Sequence, residues 1–333
     1  MAKKRKPGDW VTLEDALRTF VLAEEGTQGS SHIDPMHWHV ACRLVVEGGF
    51  HPDWIKPRPP FVVKKKAGRS FLHYEASAAR AGEATVLGGL KTKNIDVVVA
   101  IHGIGPCLAV SMKGSLNAFR NLTNRLEEAI GDCTNIHMSY PALVYGFLIL
   151  IRANRDGVVP ASLKDRLEPD PATGRVKAAD VAIRSTGEVS EFIGAFHEAM
   201  VRLTARKDLR DDVSRYEAIG ILLGDPSDSS LGKIVRDYPK PDSPLHIDGF
   251  FTSLYEAYDM RYVYAAKLIR SHTRRLVWDP ESPAVWDPRA AGMTPRIGDD
   301  TAEPVSTFEV DAADVSEHGG VTTASDEDPS SED

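Results

Sequence analysis

The sequence predicts an α/β fold, a mixed central sheet flanked by helices. Three observations carry that prediction. Short runs dense in Val, Ile and Leu (94–101, 107–113, 141–152 and 215–223) read as buried strands. Longer runs with apolar residues three and four apart (12–25, 35–47, 117–130, 187–206 and 249–274) read as helices. Strand and helix segments interleave along the chain, as in α/β domains.

In chain order, residues 1–10 (M-A-K-K-R-K-P-G-D-W) read as a loose basic arm. The 12–25 helix has Thr12 as N-cap and Asp15 in the capping-box acid position. The 35–47 helix opens on Pro35, which suits a first turn, and closes at Gly48-Gly49. Four prolines make 51–60 a loop. Residues 61–75 read as strand, basic turn (Lys64 to Arg69) and strand. The 94–101 and 107–113 strands are joined by His102–Pro106, whose two glycines and proline suit a hairpin. The helix from 117 is expected to end at Gly131. By length 141–152 fits helix or strand, and its Val, Ile, Leu, Phe and Tyr favour a buried strand. The polar segments 156–177 and 225–247 read as long loops, a class that often carries binding function.

The 42% hydrophobic and 26% charged content suits a folded core with a water-facing surface. No apolar run reaches the roughly 18 residues of a membrane helix, and the basic N-terminal segment lacks the apolar stretch of a secretory signal. Cys42, Cys107 and Cys133, widely spaced, point to reducing, cytoplasmic surroundings and to neither a disulfide framework nor a zinc site. No Gly-Lys-Ser/Thr loop is present and Gly103-Ile104-Gly105-Pro106 lacks the rest of a dinucleotide fingerprint, so no nucleotide cofactor is expected. His37 and His39 would stand about 200° apart on a helix, poorly placed for one ion. The net charge is −8, but residues 289–333 hold 2 basic and 12 acidic residues, a net of −10, leaving a body of +2. That acidic stretch has too few apolar residues to fold and is expected to be disordered. The near-neutral body is compatible with DNA without demanding it.

Polar residues stand where the pattern predicts burial. Asp96 opens one apolar strand, Ser111 and Lys113 close the next, and Glu127 and Glu128 follow on the helix, at the margins of an apolar stripe of Ala118, Phe119, Leu122, Leu126, Ala129 and Ile130. An unpaired buried charge costs several kcal/mol, so such a set is best explained by a site that needs it. A hairpin brings Asp96 beside Lys113, and either helix glutamate is able to complete a carboxylate pair. Two carboxylates and an amine suit phosphodiester hydrolysis. The acids hold a hard divalent ion such as Mg²⁺, Mn²⁺ being the alternative. The lysine offsets charge on the phosphoryl oxygens, and Ser111 holds a water. Arg120, Asn121, Asn124 and Arg125 offer planar donors for DNA phosphates, and Lys64, Lys65, Lys66 and Arg69 a basic turn for the DNA backbone.

The segment resembles the core of the PD-(D/E)XK nucleases, the restriction-endonuclease-like superfamily, in which an Asp on one strand precedes an acid-X-Lys on its neighbour. Here Asp96 is followed by Ser111-Met112-Lys113, with serine in the acid position and Ile95 rather than proline before the aspartate. One branch of type II restriction endonucleases shows the same Ser-X-Lys, with the acid moved to the following helix, where this chain has Glu127 and Glu128. The resemblance implies a restriction-endonuclease-like sheet and a Mg²⁺-dependent DNA endonuclease of restriction or genome-defence type, acting as a homodimer. It makes Asp96 and Glu127 metal ligands, Lys113 the catalytic amine and Glu47, on the preceding helix, an auxiliary acid. It covers about residues 35–155, within an expected domain of 11–288. The serine leaves a second expectation open, an inactive nuclease-fold DNA-binding or assembly module. A third is a protein unrelated to nucleic acid, with Asp96 and Lys113 a structural ion pair.

Overall fold

The computed structural model describes residues 10–24, 31–66, 69–264 and 277–278. The basic arm before Trp10, residues 265–274 of the expected late helix and the 289–333 tail lie outside these residues.

Helix α1 (Leu13–Val21) opens on the capping box read from sequence: Thr12 Oγ1 accepts the Asp15 N–H at 3.1 Å and donates to Asp15 Oδ2 at 2.8 Å. Helix α2 (Asp34–Val46) has Pro35 in its first turn. Then come β1 (Ile55–Lys56), a ribbon of β2 (Phe61–Lys66) and β3 (Arg69–Tyr74), and a hairpin of β4 (Ala84–Leu87) and β5 (Thr92–Ile95). Strands β6 (Val97–Ile101) and β7 (Gly105–Ser115) are joined by a turn in which Gly103 and Gly105 adopt φ of 80° and 89°, a region that favours glycine. Helix α3 (Leu122–Ser139), β8 (Val144–Arg152), α4 (Glu191–Leu203), β9 (Ala218–Gly224) and α5 (Ile247–Tyr258) follow. A π-helical turn (Asp259–Tyr264) continues α5, and β10 (Val277–Trp278) pairs with β3.

The central sheet has five strands in the order β1-β6-β7-β8-β9. The β1–β6 and β6–β7 pairs are antiparallel, and β7–β8 and β8–β9 are parallel. This mixed sheet flanked by helices is the α/β architecture expected from the alternation, though it extends beyond 35–155 to include β9. Its faces divide cleanly. Val97, Val99, Leu108, Val110, Met112, Leu148 and Leu222 pack with α1, α2 and α5. Val98, Ala109, Phe147, Ile149, Ile219 and Ile221 pack with α3 and α4. Alternation of side chains puts successive residues into different cores, and β8, buried along its whole length, serves both. Gly146 and Gly220 admit α5, since a β-carbon at either would come within 3.1 Å of the Phe250 ring.

Three expectations are corrected. The 51–60 loop contains β1, where Ile55 and Lys56 fit between prolines and pair with Val99 and Val98. The β4–β5 hairpin has no counterpart in the sequence reading, although Gly88-Gly89 is a turn signal. The turn is anchored by Asn135 of α3, whose side chain accepts from the Leu90 and Lys91 N–H groups and donates to Lys91 O. Helix α3 begins at Leu122 and runs through Gly131 to Ser139. A helical glycine costs about 1 kcal/mol, and burial of Cys133, Asn135 and Ile136 beyond it outweighs that cost.

Candidate functional site

Asp96 stands at the bend where the chain leaves the β4–β5 hairpin for the central sheet. Val97 pairs with Val110, so Asp96 lies across from the Ser111–Met112 peptide. Its Oδ2 accepts the Met112 N–H at 2.6 Å. Its Oδ1 is 3.4 Å from Nε2 of His37, whose Nδ1 is 3.9 Å from Asp34 Oδ1. The His37–Asp96 contact is not aligned as a hydrogen bond. Asp96 keeps 18% of its side chain open to solvent.

Lys113, next after Met112 on β7, points to α3, where its Nζ is 2.8 Å from Glu128 Oε1. Glu128 Oε2 takes a second cation, Arg125 NH1, at 2.9 Å. Partial burial lifts the Glu128 carboxyl, but Lys113 and Arg125 outweigh it and hold it below the usual carboxylate range. Glu128 is therefore ionised at neutral pH.

The phase of α3 selects Glu128. Ala118 adopts an αL conformation (φ 49°, ψ 48°) and residues 119–121 form a 3₁₀ turn before the α-helix starts. The buried seam becomes Leu122, Ala129, Cys133 and Ile136, while Ile130 is exposed and Leu126 half-buried. Arg125, Glu128, Asp132 and Asn135 form a polar stripe beside the seam. Three of them reach strands: Glu128 meets Lys113 of β7, Asp132 meets Lys93 of β5 and Asn135 holds the β4–β5 turn. Glu127, the glutamate favoured by the sequence reading, lies exposed on another face. The Asp132 stripe was readable at helical spacing, but only with the correct phase.

Ser111 is 2% exposed, and its Oγ is 2.8 Å from Tyr145 OH on β8. Burial raises the Tyr145 phenol pKa, so it stays protonated. The hydroxyl expected to hold a water is thus engaged inside the protein, and Ser111 fixes β7 against β8. Ser111→Ala is expected to strand the Tyr145 hydroxyl and to destabilise the fold by about 1–3 kcal/mol. The urea unfolding midpoint measures this, and an unchanged midpoint would refute the pairing.

Glu47 takes no part. It binds the Arg43 guanidinium (2.9 Å) and accepts from Tyr255 OH at 3.3 Å. It lies about 15 Å along α2 from His37, the residue of that helix that meets Asp96. His37 had drawn notice only as half of a histidine pair with His39. His39 turns instead to Val11 O at 3.1 Å, with burial pushing its pKa down to about 4.

Beyond Lys113 a cleft of about 230 Å³ opens at the C-terminal end of β7, bounded by His32, the 114–118 turn, Asn121 and Arg125. Ligand sites in α/β sheets favour this end of the parallel strands. Of the four expected phosphate donors, Asn121 and Arg125 line the cleft, while Arg120 and Asn124 are exposed outside it. Lys64 is half-buried and Lys65 exposed on β2.

Among the described residues no group of three or more His, Cys, Asp and Glu side chains is placed to hold a metal. Two carboxylates suffice for Mg²⁺, which keeps several waters and takes substrate phosphate oxygens. Asp96 turns to the Met112 N–H and His37, whereas Glu128 turns to Lys113 and Arg125, so the two acids have separate partners. The cysteines are free and buried, and no helix among the described residues is long and apolar enough to cross a membrane. No protein-family model, curated protein or solved structure matches the chain.

Proposed function

We propose that this chain is a metal-dependent DNA endonuclease with a restriction-endonuclease-like core, of restriction or genome-defence type. One observation carries the reading. An acid and an acid–amine pair attach to consecutive residues of one strand, Asp96 to the Met112 N–H and Glu128 to Lys113. The order of parts also supports it: an Asp entering one strand, Ser-X-Lys on its antiparallel neighbour, and the second acid on the following helix. The Lys113–Glu128 pair adds little to stability, since partly exposed ion pairs contribute about 0–1 kcal/mol, while Asp96 also satisfies the Met112 N–H.

Asp96 and Glu128 would hold Mg²⁺ or Mn²⁺, and a bound ion there supplies polarisation of the phosphate and a more acidic water. Lys113, paired with Glu128, would offset negative charge as it grows on the phosphoryl oxygens. The Met112 N–H orients Asp96, His37 stands beside it, and the Ser111–Tyr145 bond holds β7 in place. Asn121 and Arg125 supply donors for the strand phosphates. The long segments 156–177 and 225–247 are assigned to contact DNA, and a homodimer would offer one site to each strand.

The test is incubation of the protein with supercoiled plasmid in Mg²⁺, Mn²⁺ or EDTA. Nicking or linearisation in metal and none in EDTA is expected. Binding without cutting in either metal would overturn the enzymatic reading in favour of a non-cleaving DNA-binding module. That rival draws on Glu128, whose two oxygens are already taken by Lys113 and Arg125. Neither binding nor cutting would remove nucleic acid altogether.

A further inference from the structure

Glu128 carries two cations, Lys113 at 2.8 Å and Arg125 at 2.9 Å. One carboxylate neutralises one of them, so the trio keeps a positive charge. Arg125 also lines the cleft beyond Lys113, which sets that charge against open space. No acidic residue is part of the lining. The cleft abuts the first turn of α3, where the helix dipole adds positive potential. Charge of one sign in a partly enclosed space concentrates ions of the other sign.

The neutral lining is rich in donors. Asn121 is of the type that caps helices, yet its side chain makes no cap bond to α3, and it lines the cleft together with Asn117. His32 completes this side. Burial lowers the His32 imidazole pKa against the opposing pull of Asp34, so the ring is neutral at neutral pH and donates one N–H. The wall is held from behind by buried polar groups. Ala118, in its αL conformation, donates its N–H to Asp180 Oδ1 at 2.7 Å. Asn154 donates to Leu116 O at 2.9 Å, and its Oδ1 accepts from Nε of the fully buried Arg152 at 3.0 Å. A wall fixed in advance lowers the ordering cost of binding.

We propose that this cleft binds a phosphoryl group, with Arg125 as its charged contact and Asn117, Asn121 and His32 as neutral donors. The binding needs no divalent ion and does not depend on the nuclease reading. A cleft of about 230 Å³ is below the size that takes a drug-sized molecule, and it suits one tetrahedral oxyanion with part of its carrier. A phosphoryl group pairs with a guanidinium in a bidentate, charge-assisted fork and has further oxygen lone pairs for neutral donors. A free phosphate or mononucleotide and the phosphate of a nucleic-acid strand offer this same chemistry.

The test is calorimetric titration of full-length protein with inorganic phosphate in EDTA, with chloride at equal ionic strength as the blank. Saturable one-site binding is expected. Arg125→Gln and Asn121→Ala are each expected to weaken it by about tenfold or more, the loss of one hydrogen bond to a charged group. Arg125→Gln should keep its unfolding midpoint, since Arg125 retains 46% of its side-chain exposure. Arg120→Gln removes the same charge from an exposed position outside the cleft and should bind phosphate as the wild type does. Competition separates the sources. Displacement of phosphate by a duplex without terminal phosphates assigns the site to a strand phosphate. Displacement by thymidine 5′-monophosphate alone assigns it to a free one. Heat equal to the chloride blank, or wild-type phosphate affinity in either cleft variant, would overturn the site. Plasmid cutting in Mg²⁺ is read separately, and its outcome bears on the nuclease reading alone.

Discussion

Lys113→Ala and Glu128→Gln are each expected to lower Mg²⁺-dependent cleavage by at least about a hundredfold, the usual loss when one charge-stabilising group is removed from a hydrolytic site. Glu127→Gln is expected to leave cleavage within about twofold, as a surface change away from the site does. The two glutamates are neighbours in sequence, so the contrast tests the helix phase directly. Glu128 is 2.8 Å from Lys113, whereas Glu127 is exposed on another face. The variants should stay folded. Lys113 and Glu128 retain 28% and 34% of their side-chain exposure, and a pair so open contributes at most about 1 kcal/mol. Loss of activity with an unchanged unfolding midpoint and intact DNA binding therefore reads as lost chemistry. Wild-type cutting by Lys113→Ala would end the nuclease assignment. Equal losses from the two glutamate variants would end the choice between them.

Glu217→Ala is expected to destabilise the fold by about 3–5 kcal/mol, the loss seen when one partner of a buried ion pair is removed. Against a total stability of about 5–15 kcal/mol that is a large share. The carboxylate is buried at the start of β9, at the opposite end of the sheet from the candidate site. It accepts the Tyr145 N–H at 2.5 Å, Arg261 NH2 at 2.6 Å and Arg206 NH1 at 3.3 Å. Those arginines in turn donate to carbonyls of Pro141, Leu143 and Leu209. Alanine would leave two guanidinium groups and a strand N–H without their shared acceptor. Chemical denaturation measures the loss, and a change below about 1 kcal/mol, the range of an exposed pair, would contradict the buried network.

The same residue sets a pH dependence. Burial raises the Glu217 carboxyl above its usual 4.5, with Arg261 and the Tyr145 N–H acting against that rise. As pH climbs past 4.5 the unfolded chain releases this proton first, so the native state binds more protons and stability falls through that window. Below 4.5 the contribution is fully present. Glu217→Gln does not titrate, so its stability should lack this decline when urea midpoints are compared across pH.

The strands flanking the site were legible because burial on both faces demands continuous Val, Ile and Leu, as in 144–152 and 218–224. Asp96 and Lys113 were legible for the same reason, as charges interrupting apolar strands. The β4–β5 hairpin was missed because its stability comes less from alternation than from Asn135, more than 40 residues away. Glu47 was misread because α2 presents His37, near its other end, to Asp96, while Tyr255, 208 residues further on, engages the glutamate.

By itself the amino-acid order determined the long buried strands of the central sheet and the main helices, and that an acid and an amine interrupt neighbouring apolar strands. Those features depend on short-range periodicity and on the cost of burying charge, both visible within one segment. Only the tertiary structure decided which glutamate faces Lys113. The rotation of α3 is set at Ala118 by a hydrogen bond to Asp180, 62 residues downstream. A shift of one residue turns a helical side chain by about 100°, and no local pattern within 117–130 encodes that distant contact.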